Sequence, residues 1–246
     1  MHPASYRAVL FDLDGTLLQV QMHNFIPQYI SAFHAYCRDL TSHQRLQTAM
    51  RAGIHLLLET EDGARTNQQR LFDFVAAQLE LDVPLLGQRY ADFLASDYEF
   101  LAPAIESLPL ANALVNICTR AKIPVVLATN PVFPRQLIEA RCRWAGVDLA
   151  AFDLVTSLEN SCYCKPQLGY FYALAAHLGV EPQDCLMVGN DTSHDLAAGE
   201  TGMTTWLVDT WIMVRKGLNF TPHFRGNHQQ LYDFLHLHLP AKQDEI

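Results

Sequence analysis

Apolar residues fall along this chain in two rhythms. Short continuous runs at 8–11, 124–128, 154–155, 185–188 and 205–208 are strand-sized, β-branched or leucine-rich, and followed by turns. All but the last lead into helical spacing. Leu137, Ile138 and Cys142 share one side of a predicted helix over 134–144; 169–178 reads as another, stopped by Gly179, and 195–200 as a short third. Strands alternating with helices predict an α/β architecture, a parallel sheet with helices on both faces. Its chemistry should gather at the carboxyl ends of the strands.

Residues 18–104 follow the second rhythm. Strand signal is almost absent, while Phe25, Tyr29, Ile30, Phe33, Tyr36 and Cys37 recur at helical spacing, and 44–58, 67–79 and 85–94 repeat the theme. The stretch predicts an all-helical domain inserted between the first and second strands, long enough for a small core of its own. The chain then divides into a first strand and its motif at 1–17, the helical insert at 18–104, and the rest of the sheet domain at 105–246.

Composition narrows the field. Of 246 residues, 50% are hydrophobic and 17% charged, which fits a packed globular protein and argues against disorder. No apolar run approaches the roughly 18 residues of a membrane span. The first residues lack the charged-then-apolar pattern of a secretory leader, so a cytoplasmic protein without membrane attachment is expected. The formal net charge is −9 and no basic stripe stands out, which speaks against nucleic acid as a partner. An anionic small substrate would need a local positive device against that field. Six cysteines, with only Cys162 and Cys164 closely spaced, lack zinc-finger spacing and read as reduced, mostly buried thiols. The histidines form no H-E-x-x-H, and His236 and His238 in the C-terminal Leu/His stretch read as packing residues.

Candidate chemistry is concentrated where strands end. The first strand runs into Asp12-Leu13-Asp14-Gly15-Thr16. Two carboxylates two apart on a strand point the same way, and the glycine lets the chain turn at once. A carboxylate nucleophile beside a second carboxyl that gives and takes a proton is one route to phosphoryl transfer; a solvated D-G turn is the plainer alternative. The second strand ends in Thr129 and Asn130, a hydroxyl and an amide suited to a phosphoryl oxygen or to a helix cap. Lys165, one of four lysines (122, 165, 216 and 242), precedes Pro166 at a helix start. The fourth strand gives way to Gly189-Asn190-Asp191, with Asp195 four residues on. Such oxygens suit Mg2+, and acids here would equally complement a helix N-terminus.

In this order, D-x-D-G-T, a strand-end Thr, K-P and G-N-D-x-x-x-D resemble the haloacid dehalogenase superfamily of hydrolases, its phosphatase-like members above all, over essentially the whole chain. The resemblance implies a Rossmann-like parallel sheet, and the insert is similar to the family's helical cap of the first type, which closes over the site. It implies Asp12 as the nucleophile toward phosphorus. Asp14 would protonate the leaving oxygen and then take a proton from water. Mg2+ would be held by the Asp12 carboxylate, the Asp14 backbone carbonyl and Asp191, while Thr129, Asn130 and Lys165 would bind the transferring group. The sequence departs from the family at one point, since many members carry Gly-Asp where this chain has Gly189-Asn190-Asp191. Alignment on the D-x-x-x-D spacing makes Asp191 the ligand and Asp195 its partner; alignment on the glycine puts Asn190 there. A carboxylate serves a divalent cation better, which favours Asp191.

Asp14 narrows the reaction, because displacing halide from carbon needs no proton donor and a phosphate ester leaving group does. The Schiff-base branch of the family uses a cap lysine, and residues 18–104 contain none. The expected activity is Mg2+-dependent hydrolysis of a small phosphorylated metabolite through an aspartyl phosphate, by a monomer or homodimer. A sugar phosphomutase and a catalytically silent binding protein are the alternatives. Specificity is expected from cap residues facing the site, with the polar loop 61–69 and its Arg65, Thr66 and Asn67 as the candidate; a solvated helix connection is the equal alternative for that loop. The aromatic and basic stretch 209–222 has no functional reading; packing of the last strand and a dimer contact are the two options.

Overall fold

Four apolar residues with no exposed surface, Ala8–Phe11 (β1), run through the middle of the sheet, as expected of a strand covered on both faces. The computed structural model describes residues 6–96 and 98–239; Lys242 and the outer ends of the sequence-based division, 1–5 and 240–246, lie outside them. In chain order the other strands are β2 Leu18–Val20, β3 Ile105–Ser107, β4 Val125–Leu127, β5 Leu154–Val155, β6 Cys185–Gly189, β7 Thr204–Val208 and β8 Phe224–Gly226. Six of them form one sheet in the order β5-β4-β1-β6-β7-β8, and every pairing in it is parallel. The chain therefore starts in the centre, builds one side, and returns to build the other. The reversal falls at β1, where α/β sheets open a crevice at their carboxyl edge.

Alternation along the strands sends side chains to opposite faces. Val9, Phe11, Val125, Leu127, Leu186 and Val188 join one apolar cluster with the helices α5 Ala111–Arg120, α6 Arg135–Ala145 and α8 His228–His238. Ala8, Leu10, Val126 and Met187 join a second cluster with α7 Leu168–Leu178 and the short 3-10 turn Leu196–Thr201. The α/β fold with helices on both faces is thus as expected. The segment predicted as a helix over 195–200 is that 3-10 turn.

Between β2 and β3 lie the four predicted helices, α1 Met22–Ala35, α2 His43–Glu59, α3 Asn67–Leu79 and α4 Val83–Leu94. Their interior is aromatic: Tyr90 packs edge-on against Phe33 and Phe72, and the buried hydroxyls of Tyr29 and Tyr90 meet at 2.5 Å. Two features differ from the sequence reading. The chain enters and leaves the helices through β2 and β3, an antiparallel ribbon, so the stretch from residue 18 is not wholly helical. The helices also have no separate core, because Phe25, Phe33, Leu46 and Phe93 belong to the same apolar cluster as one face of the sheet. Strands of three residues are too short to show alternation, which is why β2, β3 and β8 were not anticipated. Helix α5 was missed too; its Asn112, Asn116, Cys118 and Thr119 are weak helix formers.

Of the six cysteines, all free, five are buried, and burial pushes the thiols of Cys118, Cys142 and Cys164 up to about 12. Among the described residues no helix is long and apolar enough to cross a membrane.

Candidate active site

Strand register brings the motifs together. Phe11 pairs with Leu127 on one side and with Val188 on the other, so three adjacent strands end at one level and release Asp12, Thr129 and Asn190 beside each other. Two glycines permit the crowding. Gly15 has φ +89°, and a Cβ there would fall 2.0 Å from the Asn190 Nδ2. At Gly189 a Cβ would lie 2.2 Å from the Asp195 Oδ2. With that space open, Asp195 Oδ2 accepts the backbone N–H groups of Asn190 at 3.0 Å and Asp191 at 2.9 Å.

Lys165 stands at the centre. Its buried ammonium donates to Asp12 Oδ1 at 2.7 Å and to Asp195 Oδ1 at 2.6 Å. Burial works against its charge, but the two carboxylates outweigh this and hold the ammonium well above its ordinary range. One cation between two acids leaves negative charge buried. Burial first, then Asp195 and Asp14, raise the Asp12 carboxyl to about 7, with Lys165 pulling the other way. Thr16 Oγ1 donates to the other Asp12 oxygen at 3.3 Å.

Asp14 is held from the side by a residue that no motif announced. Arg141 in α6 is fully buried and donates through Nη1 to both Asp14 oxygens, at 2.8 and 2.9 Å. Its guanidinium lies over Phe133 at 4.9 Å from the ring centre and near Phe25 of α1 at 5.8 Å. Among the described residues its Nε and Nη2 have no hydrogen-bond partner. A signal was present in the sequence: Arg141 falls on the same helix side as Leu137, Ile138 and Cys142, where a charge is out of place.

Thr129 is buried at the end of β4, and its carbonyl accepts the hydroxyls of Thr156 at 2.7 Å and Tyr170 at 2.9 Å. The Asn130 amide is turned to the backbone of Lys165, donating to its carbonyl and accepting its N–H, both at 3.2 Å. Asn130 therefore spends its side chain on positioning the lysine loop.

The 209–222 stretch, without a role in the sequence reading, forms a wall of the site. Met213 and Asn190 are joined by a backbone hydrogen bond of 2.9 Å, Asn190 Nδ2 donates to the Trp211 carbonyl at 2.6 Å, and Arg215 Nε donates to Asp191 Oδ2 at 2.5 Å. The other Asp191 oxygen accepts the N–H groups of Ser193 and His194, each at 2.9 Å. Asp12, Asp14, Thr129, Asn130, Lys165 and Asp191 all line one cavity of about 520 Å³. The loop 61–69 does not line it. Arg65 there is tied to Asp62 and Asp73, Thr66 caps α3, and Asn67 is buried, donating to the carbonyls of Pro131 and Tyr163. Its polarity serves local structure and the docking of α3.

The donors fit a hard divalent cation. The oxygens of Asp12 and Asp191 and the carbonyl of Asp14 are the kind Mg2+ takes, and the surplus negative charge around Asp12 is what a cation relieves. Among the described residues no group of three His, Cys, Asp or Glu side chains is arranged to hold a metal by itself, so the carbonyl and water would complete the set. Arg215 would share Asp191 with the ion.

Residues 6–202 match the model of a family described as haloacid dehalogenase-like hydrolase. The chain belongs to that family. It is 21% identical over 205 residues to the pyrophosphatase PpaX of Bacillus cereus (strain AH820), covering 83% of each chain. Among solved structures, the HAD phosphatase of Thermococcus onnurineus superimposes with a TM-score of 0.58 at 21% identity, covering 96% of this chain and 99% of that one. The HAD-hydrolase YfnB of Bacillus subtilis, solved bound to magnesium, gives a TM-score of 0.53 at 19% identity and covers 94% and 98%. The structural likenesses establish the fold shared by this hydrolase family. The family match stops at residue 202, short of the segment that carries Trp211 and Arg215.

Proposed function

We propose that this hydrolase is a Mg2+-dependent phosphomonoesterase working through an aspartyl phosphate on Asp12. The observation that carries the reading is the buried Asp12–Lys165–Asp195 cluster with a second carboxyl, Asp14, held beside it. Asp12 attacks phosphorus, and the bond to the ester oxygen breaks as Asp14 gives that oxygen its proton. Water then adds to the phosphorus of the aspartyl phosphate, returns a proton to Asp14, and frees phosphate and the Asp12 carboxylate. Lys165 offsets the charge of Asp12 and, with Thr129, binds the phosphoryl oxygens. Arg141 fixes the direction in which Asp14 faces. Mg2+ would be held by Asp12, the Asp14 carbonyl and Asp191, and would supply positive charge next to the transferring group. The choice of Asp191 over Asn190 rests on its being a carboxylate, the better ligand for a divalent cation. The four helices would act as a cap over the cavity, and the chain as a cytoplasmic enzyme of one or two copies acting on a small phosphorylated metabolite.

Asp12→Asn is expected to lower phosphate release from p-nitrophenyl phosphate by about 10³-fold or more, since no acyl phosphate can form. Beryllium fluoride with Mg2+ should add to Asp12 in the unaltered protein and raise its thermal midpoint. Activity that survives Asp12→Asn, or that is indifferent to Mg2+ removal, rules the mechanism out.

A further inference from the structure

Above the charged floor, the walls of the cavity are apolar on both sides. The inserted helices and β2 contribute Val20, Met22, Ile26, Ile54 and Leu58, with Gln19 as the polar exception. The sheet side contributes Val132, Phe133, Trp211, Ile212 and Met213. No lysine or arginine from the insert lines this space among the described residues. The polar groups near the mouth are committed: Arg215 bonds Asp191, and the His194 ring nitrogen Nδ1 meets the Asn130 amide at 3.4 Å.

A second cavity, of about 140 Å³, adjoins the first across Ile26, Ile54, Val132 and Phe133, which line both. It continues among Tyr29, Ile30, Met50 and Leu71, with exposed Arg51 as the charged residue on its lining. Ile212 and Met213 line the first cavity while 37% and 43% exposed, apolar surface that nothing in the chain covers among the described residues.

Resting on the phosphatase reading, we propose that the ester taken by this site carries an apolar leaving group, an alkyl or aryl alcohol whose body lies along these walls. A sugar would bring a hydroxyl on nearly every carbon into a space whose insert side offers, among the described residues, Gln19 alone as a polar partner, and each unmatched polar group is costly. A second phosphate or a carboxylate would need a cation beside the first cavity, and the insert supplies one only in the adjoining cavity, the exposed Arg51. An alkyl chain needs neither, and it buries the exposed face of Ile212 and Met213.

The test is phosphate release by the full chain with Mg2+ from ethyl, butyl, hexyl and octyl phosphate, beside glucose 6-phosphate, phosphoglycolate and pyrophosphate. The expected result is a kcat/KM that rises about threefold per added methylene as far as hexyl, chiefly through KM, and that exceeds every polar substrate. A flat or falling series, or a polar substrate equal to hexyl phosphate, overturns the proposal and leaves hydrolysis standing. No release from any of these or from p-nitrophenyl phosphate overturns the phosphatase reading and this proposal together. Ile54→Asn should flatten the chain-length dependence, with Met22→Ser as the second variant should the first not fold; a slope unchanged in the folded variant counts against the proposal.

Discussion

The strand ends and the inserted helices face one cavity with opposite chemistry. On the strand side the charged side chains are fixed by several partners, as Lys165 is by Asp12 and Asp195, and Asp191 by Arg215 and two backbone N–H groups. On the helix side Ile26, Ile54 and Leu58 offer shape and apolar surface without directed bonds. Directed bonds demand particular atoms at particular places, so the catalytic half is written in a few positions. Apolar surface tolerates exchange of similar volumes, so the selecting half is spread over many.

Lys165→Met strikes that contrast hardest. It leaves Asp12 and Asp195 buried without their shared cation and should cost about 3–5 kcal/mol in urea unfolding, against under ~1.5 kcal/mol for Ile54→Val in the apolar wall. Equal costs would erase the distinction. Next in size, Asp14→Asn should lower kcat/KM, which reports formation of the aspartyl phosphate, by about 10²-fold or more for alkyl phosphates and much less for p-nitrophenyl phosphate, because a phenolate leaves without a proton. Arg141→Leu should reproduce the same leaving-group bias at roughly tenfold, since it removes the hold on Asp14; a uniform loss on both esters would make Arg141 purely structural.

A smaller effect concerns pH. Burial lowers His194 from 6.5 to about 4, so between those values the unfolded chain binds the extra proton and stability falls as the solution is acidified. Asp12, raised from 3.8 to about 7, works in reverse, its contribution being lost as pH rises through 7. His194→Gln should therefore reduce the drop in thermal midpoint between pH 6.5 and 5 in metal-free protein. The smallest change expected lies inside the helices: Tyr29→Phe strands the Tyr90 hydroxyl and should cost about 1–2 kcal/mol, while the double change to Phe returns most of it.

Strands β1, β4 and β6 were legible because each is a short apolar run opening into polar chemistry. Their register was not, although it alone brings Asp12, Thr129 and Asn190 within one residue of the same level. The ribbon of β2 and β3 pairs residues that lie far apart in the chain, with three residues on each side and no alternation to read. Arg215 is not marked by any motif, because the chain leaves its partner Asp191 and passes through β7 before Arg215 returns to it. Arg65, Thr66 and Asn67 misled for the reverse reason: polar residues in a loop look available, whereas caps and buried amides consume the same groups.

The segment from Trp211 to Arg215 is tied to Asn190 by its backbone and to Asp191 by the Arg215 guanidinium, and it lies past residue 202, where the match to the family model ends. Its Ile212 and Met213 side chains take no part in those bonds: a loop graft that kept the carbonyls of Trp211 and Met213, the N–H of Met213 and the Arg215 guanidinium could exchange the entrance without disturbing the carboxylates below. Rebuilding that short strip, rather than the helices, is the more economical route to a redirected enzyme.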